Sequence, residues 1–229
     1  MAKTLVVVGF GPGNATAVAE KFGAQGFSVA IIGRNEERLA EGVAALKGRG
    51  ISAAAFVADA TDPTAIGSAI RKVRAEVGPI SALHWNAYGG AEAGDILTAD
   101  PVAVHGIFDV AVFGLLAATQ EALADLRSAG DGAILITNGA FGDSSPAMDE
   151  YVTKSNVMGI ALANAAKNKL AGLLGQRLKR EGVYVGEVVI YGTVKGTPTG
   201  GDNAIDPAIV AGKFWDLYKA RGETRAEIH

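Results

Sequence analysis

A chain of 229 residues, 49% hydrophobic and 20% charged, is long enough for one large core and too apolar to remain disordered. Its 21 basic and 24 acidic residues leave a formal charge of -3, which draws the surface neither to nucleic acid nor to anionic lipid. Cysteine is absent, which excludes disulfides, thiolate nucleophiles and cysteine-bound metal, and His84, His105 and His229 are scattered, so no metal site is expected. The partner expected is a small molecule, without nucleic acid or membrane.

In chain order, the apolar run LVVV is too short for a signal peptide or a membrane span and reads as a first strand, Leu5–Val8, of a cytoplasmic protein. A helical stretch near Thr16–Gln25 follows it. Strand Ser28–Ile32 leads to helix Glu36–Lys47, Ala53–Val57 to Thr64–Val77, and Ile80–Trp85 to Pro101–Ser128. Ala133–Thr137 leads to Gly159–Arg180, and Val183–Ile190 to a last helix, Pro207–Ala220, with a short edge strand after it. Unbroken alternation of strand and helix predicts an α/β, doubly wound (Rossmann) parallel sheet with helices on both faces. No linker divides residues 1–229 into two domains. The stretch GTPTGGDNA, Gly196–Ala204, reads as a flexible surface loop suited to act as a lid.

Directly after the first strand stands GFGPGNATAVAE. In a doubly wound sheet this first strand-to-helix turn is where a diphosphate rests on a helix N-terminus. Gly9, Gly11 and Gly13 permit backbone conformations and close approach that a Cβ would obstruct, while Asn14 and Thr16 offer side-chain hydrogen bonds. GFGPGN also resembles the glycine loop of S-adenosylmethionine methyltransferases. The end of the second strand separates the two, because both a methyltransferase and an NAD site usually place a carboxylate there for the ribose hydroxyls. This chain has Gly33 and Arg34 in IIGRNEERL, and a guanidinium suits a 2′-phosphate through charge-assisted hydrogen bonds. NADP(H) is therefore the cofactor expected. Asn35 capping the next helix, with Arg34 merely solvated, is the structural alternative.

With Gly9-x-x-x-Gly13-x-Ala15, Arg34, the FVADAT and WNAYGG segments and the FDVAVFGLLAATQ helix, the sequence resembles the short-chain dehydrogenase/reductase family over nearly its whole length. The resemblance implies that Asp59, with Ala60 beside it, contacts the adenine. It implies that Asn86, Ala87 and Tyr88 stand in the turn after the fourth strand, and that Gly192, Val194 and Thr197 of YGTVKGT hold the nicotinamide side. It also implies a homodimer or homotetramer built through the long helices Pro101–Ser128 and Gly159–Arg180, whose apolar residues cover more than one side.

The family's catalytic asparagine, serine, tyrosine and lysine map less simply. Aligning FDVAVFG places Ala111 at the asparagine, and aligning ILITNGAFG puts Asn138 or Gly139 at the serine, where Asn138 retains a donor for a substrate carbonyl. Tyrosine and lysine belong four apart on one helix face, so that the ammonium stabilises the phenolate. In EYVTKSNVMGIALANAAKNKL, Tyr151 and Lys154 are three apart. A helix from Lys154 to Arg180 runs about 40 Å, beyond the roughly 20–25 Å of the strand it covers, whereas one beginning at Lys167 runs about 20 Å. Two registers follow: Lys167 as the lysine with Ala163 at the tyrosine position, or Tyr151 with Lys154. In the first, Tyr151 lies in an insertion, Phe141–Ile160, and Tyr88 and Tyr191 are rival phenols. The expected activity is NADP(H)-dependent oxidation or reduction of a carbonyl, alcohol or activated double bond with a non-standard proton donor. The alternative is an NADP(H)-binding protein without catalysis.

Overall fold

Thr4 through Val8 are buried, so the first strand needs apolar side chains on both faces, and this is why LVVV shows no alternation. The computed structural model describes residues 3–89 and 93–229, so Gly90 of the WNAYGG segment lies outside the described residues. Seven strands form one parallel sheet in the order β3-β2-β1-β4-β5-β6-β7. They are β1 Lys3–Val8, β2 Phe27–Gly33, β3 Ala53–Val57, β4 Ile80–Trp85, β5 Ala133–Gly139, β6 Tyr184–Ile190 and β7 Arg225–Ile228. The predicted doubly wound sheet is the sheet observed.

Helices α1 (Asn14–Gly23), α2 (Glu36–Gly48) and α8 (Pro207–Ala220) cover one face around Phe22, Leu39 and Phe214. Helices α3 (Pro63–Glu76), α5 (Leu115–Ser128) and α7 (Met158–Leu178) cover the other around Ile66, Trp85, Leu115 and Leu178. Two shorter helices, α4 (Pro101–Phe108) and α6 (Pro146–Lys154), sit at the end where the strands finish. Helices α3, α4, α6 and α8 all begin with proline behind an Asp or Ser cap, which fixes their starts through the missing proline N–H and a side-chain acceptor.

Two details differ from the sequence reading, the span Pro101–Ser128 and the stretch Gly196–Ala204, while α7 keeps the predicted helix Gly159–Arg180 within two residues at each end. The span Pro101–Ser128 is broken by a π turn, Asp109–Gly114, and the helix presses so closely on its neighbours there that a Cβ on Gly114 would lie 2.2 Å from Ala60 O. By length and composition this span is apolar enough to cross a membrane, but Leu115, Ala118, Ala122 and Leu126 bury it against the sheet. Helix α7 starts at Met158, well before Lys167, and is cut off from α6 by Ser155–Val157, where Asn156 takes the left-handed conformation (φ 53°). The stretch Gly196–Ala204 is not a loose loop. Val194 bridges Ile205, Lys195 N–H donates to Ile205 O (2.9 Å), Ile205 N–H to Thr193 O (2.8 Å) and Gly200 N–H to Thr197 O (2.9 Å), forming a strap.

Candidate cofactor and active site

The residues singled out for the cofactor gather where the strands end. Gly9 has φ 81°, and a Cβ there would lie 2.5 Å from the backbone of Ala87. Conformation and space both require glycine. The N–H groups of Gly9 and Phe10 both donate to Ile32 O at 3.0 Å. Asn86 clamps the turn from β4, its N–H donating to Val8 O (2.9 Å) and its Nδ2 to Gly9 O (3.2 Å). Asn86 and Ala87 thus hold the shape of the glycine turn, a job that sequence spacing alone did not assign them.

Gly13 (φ 82°) precedes α1 and supplies no side-chain cap, so the first-turn N–H groups of α1 lack a side-chain acceptor. Thr16 Oγ1 is turned back onto Gly11 O (2.9 Å), and Asn14 Oδ1 is buried without a partner among the described residues. An uncapped helix N-terminus and an orphaned amide oxygen beside it fit a bound polar group, and partial positive charge at that terminus favours an anion. The strap closes this end: a Cβ on Gly13 would meet Thr197 Cγ2 at 2.9 Å, and Thr197 Oγ1 donates to Val194 O at 2.7 Å. Ala15, in the third glycine position, is fully buried, and its methyl belongs to the core under α1. Ala15 therefore packs and does not face a ligand.

Arg34 follows β2 with 76% of its side chain exposed, its Nη1 3.9 Å from Asp59 Oδ2. Asn35 caps α2 by accepting from Arg38 N–H at 2.7 Å, so the structural alternative holds for Asn35 while leaving the Arg34 guanidinium open to a phosphate. Asp59 Oδ1 accepts from Thr61 N–H (2.9 Å), which turns the chain toward α3 beside Ala60. Tyr88 is 72% exposed at the mouth of the same edge. On the far side Gly192 follows β6, and Tyr191 stacks on His229 with centroids 4.5 Å apart.

The catalytic candidates divide. Lys167, on α7, is buried, and its Nζ donates to Thr137 O at 3.1 Å, just beyond the last β4–β5 pair, Trp85 and Ile136. Burial pushes its ammonium down to about 8, with the Glu187 carboxylate pulling the other way. Lys154 instead projects into solvent and pairs with Glu150 at 2.5 Å, and Tyr151, 55% exposed, leans on Phe141 with ring centroids 5.9 Å apart. The shifted register therefore brings no buried lysine to Tyr151.

Asn138, expected to position a substrate carbonyl, has its amide engaged within the fold. Its Nδ2 donates to Asn164 O (2.9 Å) and Glu187 Oε1 (2.7 Å), and its Oδ1 accepts from Gly139 N–H (3.0 Å), so both amide hydrogens are consumed inside the fold. Sequence spacing also missed Asn164, Glu187 and His84. A Cβ on Gly139 would lie 2.7 Å from Asn164 Nδ2. Glu187 accepts from Asn138 and from Asn168 Nδ2 (2.9 Å), and burial lifts its carboxyl above the usual range. His84 Nε2 shares a hydrogen bond with Thr137 Oγ1 at 2.9 Å. The signal available was a lone carboxylate inside the apolar run VYVGEVVI. Ala111 and Ala163 lie in one small apolar cluster with Ala93 and Ile107.

Comparison with known proteins agrees with this fold. An oxidoreductase, UcpA, of Escherichia coli K12 is 27% identical over 176 residues, 75% of this chain and 65% of that protein. The short-chain dehydrogenase/reductase SDRA of Arabidopsis thaliana is 26% identical over 166 residues, 72% of this chain. The chain spans 65% of the length of each. Among solved structures, L-sorbose reductase from Gluconobacter frateurii, complexed with NADPH and L-sorbose, superposes with a TM-score of 0.87 at 18% identity over 99% of this chain and 95% of that one. A short-chain oxidoreductase from Pseudomonas aeruginosa PAO1, solved with NADPH and containing an atypical catalytic center, gives 0.85 at 19% identity over 99% and 95%. The family model for short chain dehydrogenases matches residues 3–199, and the chain belongs to the short-chain dehydrogenase family.

Proposed function

We propose that this protein is an NADP(H)-dependent oxidoreductase of the short-chain type whose proton donor stands outside the usual tyrosine position. The observation that carries the cofactor half is the uncapped N-terminus of α1 behind Gly13, with the open Arg34 guanidinium at the end of β2. The α1 N–H groups would hold the diphosphate, Arg34 the 2′-phosphate, and Asp59 the adenine side. Asn86 and the strap from Val194 to Ile205 would shape the nicotinamide side. The nicotinamide, when bound, supplies or accepts the hydride. Family membership sets aside the S-adenosylmethionine reading of GFGPGN.

Arg34→Ala is expected to raise the NADPH dissociation constant about ten- to a hundredfold, the loss of one or two charge-assisted hydrogen bonds. NADH affinity should stay within about twofold, because the lost contact is to the extra phosphate alone. Isothermal titration with both cofactors checks this. Equal weakening of NADH and NADPH, or no weakening of either, refutes the assignment of Arg34.

For chemistry, Tyr88 and Tyr151 are the exposed phenols at this edge, and turnover of a carbonyl panel should collapse in Tyr151→Phe or Tyr88→Phe if one of them delivers the proton. The cluster of Ala111 and Ala163 favours a second reading, NADP(H) binding without catalysis, since methyl groups occupy the positions that the alignment gives to asparagine and tyrosine. NADPH binding without turnover across the panel is its signature. Phe113 and Leu173 stand exposed on the π turn and α7, which supports the expected homo-oligomer.

A further inference from the structure

A second site lies at the opposite edge of the sheet, where the strands begin. A cleft of about 450 Å³ opens there among the start of β1, the loop into β2 and the end of α8. One wall is aromatic. Trp215 packs on Tyr218 (centroids 5.5 Å, 30°), Phe27 meets Tyr218 edge-on (5.7 Å, 79°), and Phe22 buttresses the rings from behind (5.1 Å to Trp215, 5.5 Å to Tyr218). Such interlocked rings form a rigid surface.

The charges on this cleft are unbalanced. Asp131, its one carboxylate, takes Lys3 and the Tyr218 hydroxyl (2.7 Å) on Oδ2, with Oδ1 buried without a partner among the described residues, and against the raising effect of burial Lys3, Tyr218 and Arg221 hold it below its ordinary range. Two cations remain. Arg221 donates through Nη2 to the carbonyls of Asp131 and Gly132, which leaves Nε and Nη1 without a partner among the described residues, and its guanidinium lies over Tyr184 (5.8 Å) and Tyr218 (5.5 Å). Lys219 sits 5.9 Å over Trp215 and has no carboxylate partner among the described residues. What sets these two cations apart is that both stand against a fixed aromatic wall. Arg221 also occupies the left-handed region (φ 51°) at the end of α8, a position that glycine takes at no steric cost.

We infer that this cleft binds a planar aromatic anion, an aromatic carboxylate or sulfonate, with its ring against Trp215 and its charge between Lys219 and Arg221. Ring and charge are both needed: the wall supplies stacking area, and the spare donors supply charge-assisted hydrogen bonds. Helix α1 separates the cleft from the glycine turn by about 15 Å, so the ligand does not compete with a dinucleotide.

The protein has two tryptophans, and Trp85 is fully buried in the core, so two indole N–H signals in a ¹H–¹⁵N spectrum distinguish the site, with Trp215→Phe assigning them. Naphthalene-2-carboxylate should move the Trp215 signal saturably, equally with and without NADPH, and leave Trp85 in place. Lys219→Glu, on an exposed position, should weaken that binding roughly three- to tenfold, and Lys47→Glu on α2 should not. The inference is overturned if cyclohexanecarboxylate or uncharged 2-naphthol binds as well, if Lys219→Glu binds normally, or if NADPH displaces the probe.

Discussion

Between pH 7.0 and pH 4.5 the protein is expected to lose roughly 2–3 kcal/mol of stability through His84 alone. The imidazole is fully buried on β4, edge-on to Phe214 at 4.8 Å, with Nε2 on Thr137 Oγ1 and Nδ1 lacking a partner among the described residues. Burial pushes it down to about 3. Above pH 6.5 the ring is neutral in both states and contributes no pH dependence. Between 6.5 and 3 the unfolded chain binds a proton that the folded chain refuses, so each unit of acidification favours unfolding by about 1.4 kcal/mol. Glu187 works the other way: its raised carboxyl takes up a proton in the folded chain before the unfolded one does. The measurement is therefore a difference. Urea unfolding of wild type and His84→Leu at pH 7.0 and 4.5 should show the acid loss reduced by roughly 2–3 kcal/mol in the variant. The unpartnered Thr137 hydroxyl costs the variant stability at both pH values and cancels. Identical acid losses would mean that His84 protonates inside the fold.

Glu187→Ala should destabilise the protein by about 3–5 kcal/mol at pH 7, the usual cost of removing one member of a buried charged network. Alanine strips the acceptor from Asn138 and from Asn168 and leaves Lys167 buried without its compensating carboxylate. Glu187→Gln keeps one good acceptor and should cost about 1–2 kcal/mol. The amide also allows a finer reading. Lys167 sits below its ordinary value, at about 8, so between pH 8 and 10.5 the unfolded chain retains a proton that the folded chain has released, and stability rises with pH across that window. Without the Glu187 charge that rise should begin at lower pH. Denaturant midpoints from pH 7 to 9.5 would show it, and an unmoved alkaline limb would mean that the two groups are uncoupled.

Much of the fold was legible because its signals are local. Runs such as LVVV and ISALHW read as strands for the same reason that they are buried on both faces. The glycine turn and Arg34 were legible because each lies in a short loop directly after a strand that reads plainly, β1 and β2. The π turn was not, nor was the close approach of Gly114 to the carbonyl of Ala60, distant in sequence. Helix α6 was hidden inside a stretch with no counterpart to align. The length argument pointed to the buried lysine on an incomplete ground: α7 begins at Met158, beside Asn156, whose left-handed turn no periodicity reveals. The internal hydrogen bonds of Asn138 were not legible because they depend on Glu187 and Asn164, residues from two other elements.

The three glycines that open the nucleotide turn answer to different neighbours. Gly9 is dictated by Ala87 and Gly13 by Thr197, so both would be needed in a protein that had abandoned its ligand altogether. Gly11 has ordinary backbone angles and nothing within 4 Å of where a side chain would begin, among the described residues. A bulky group placed there disturbs only what comes from outside, which makes that single position the place where occupancy by a visitor and upkeep of the fold can be told apart.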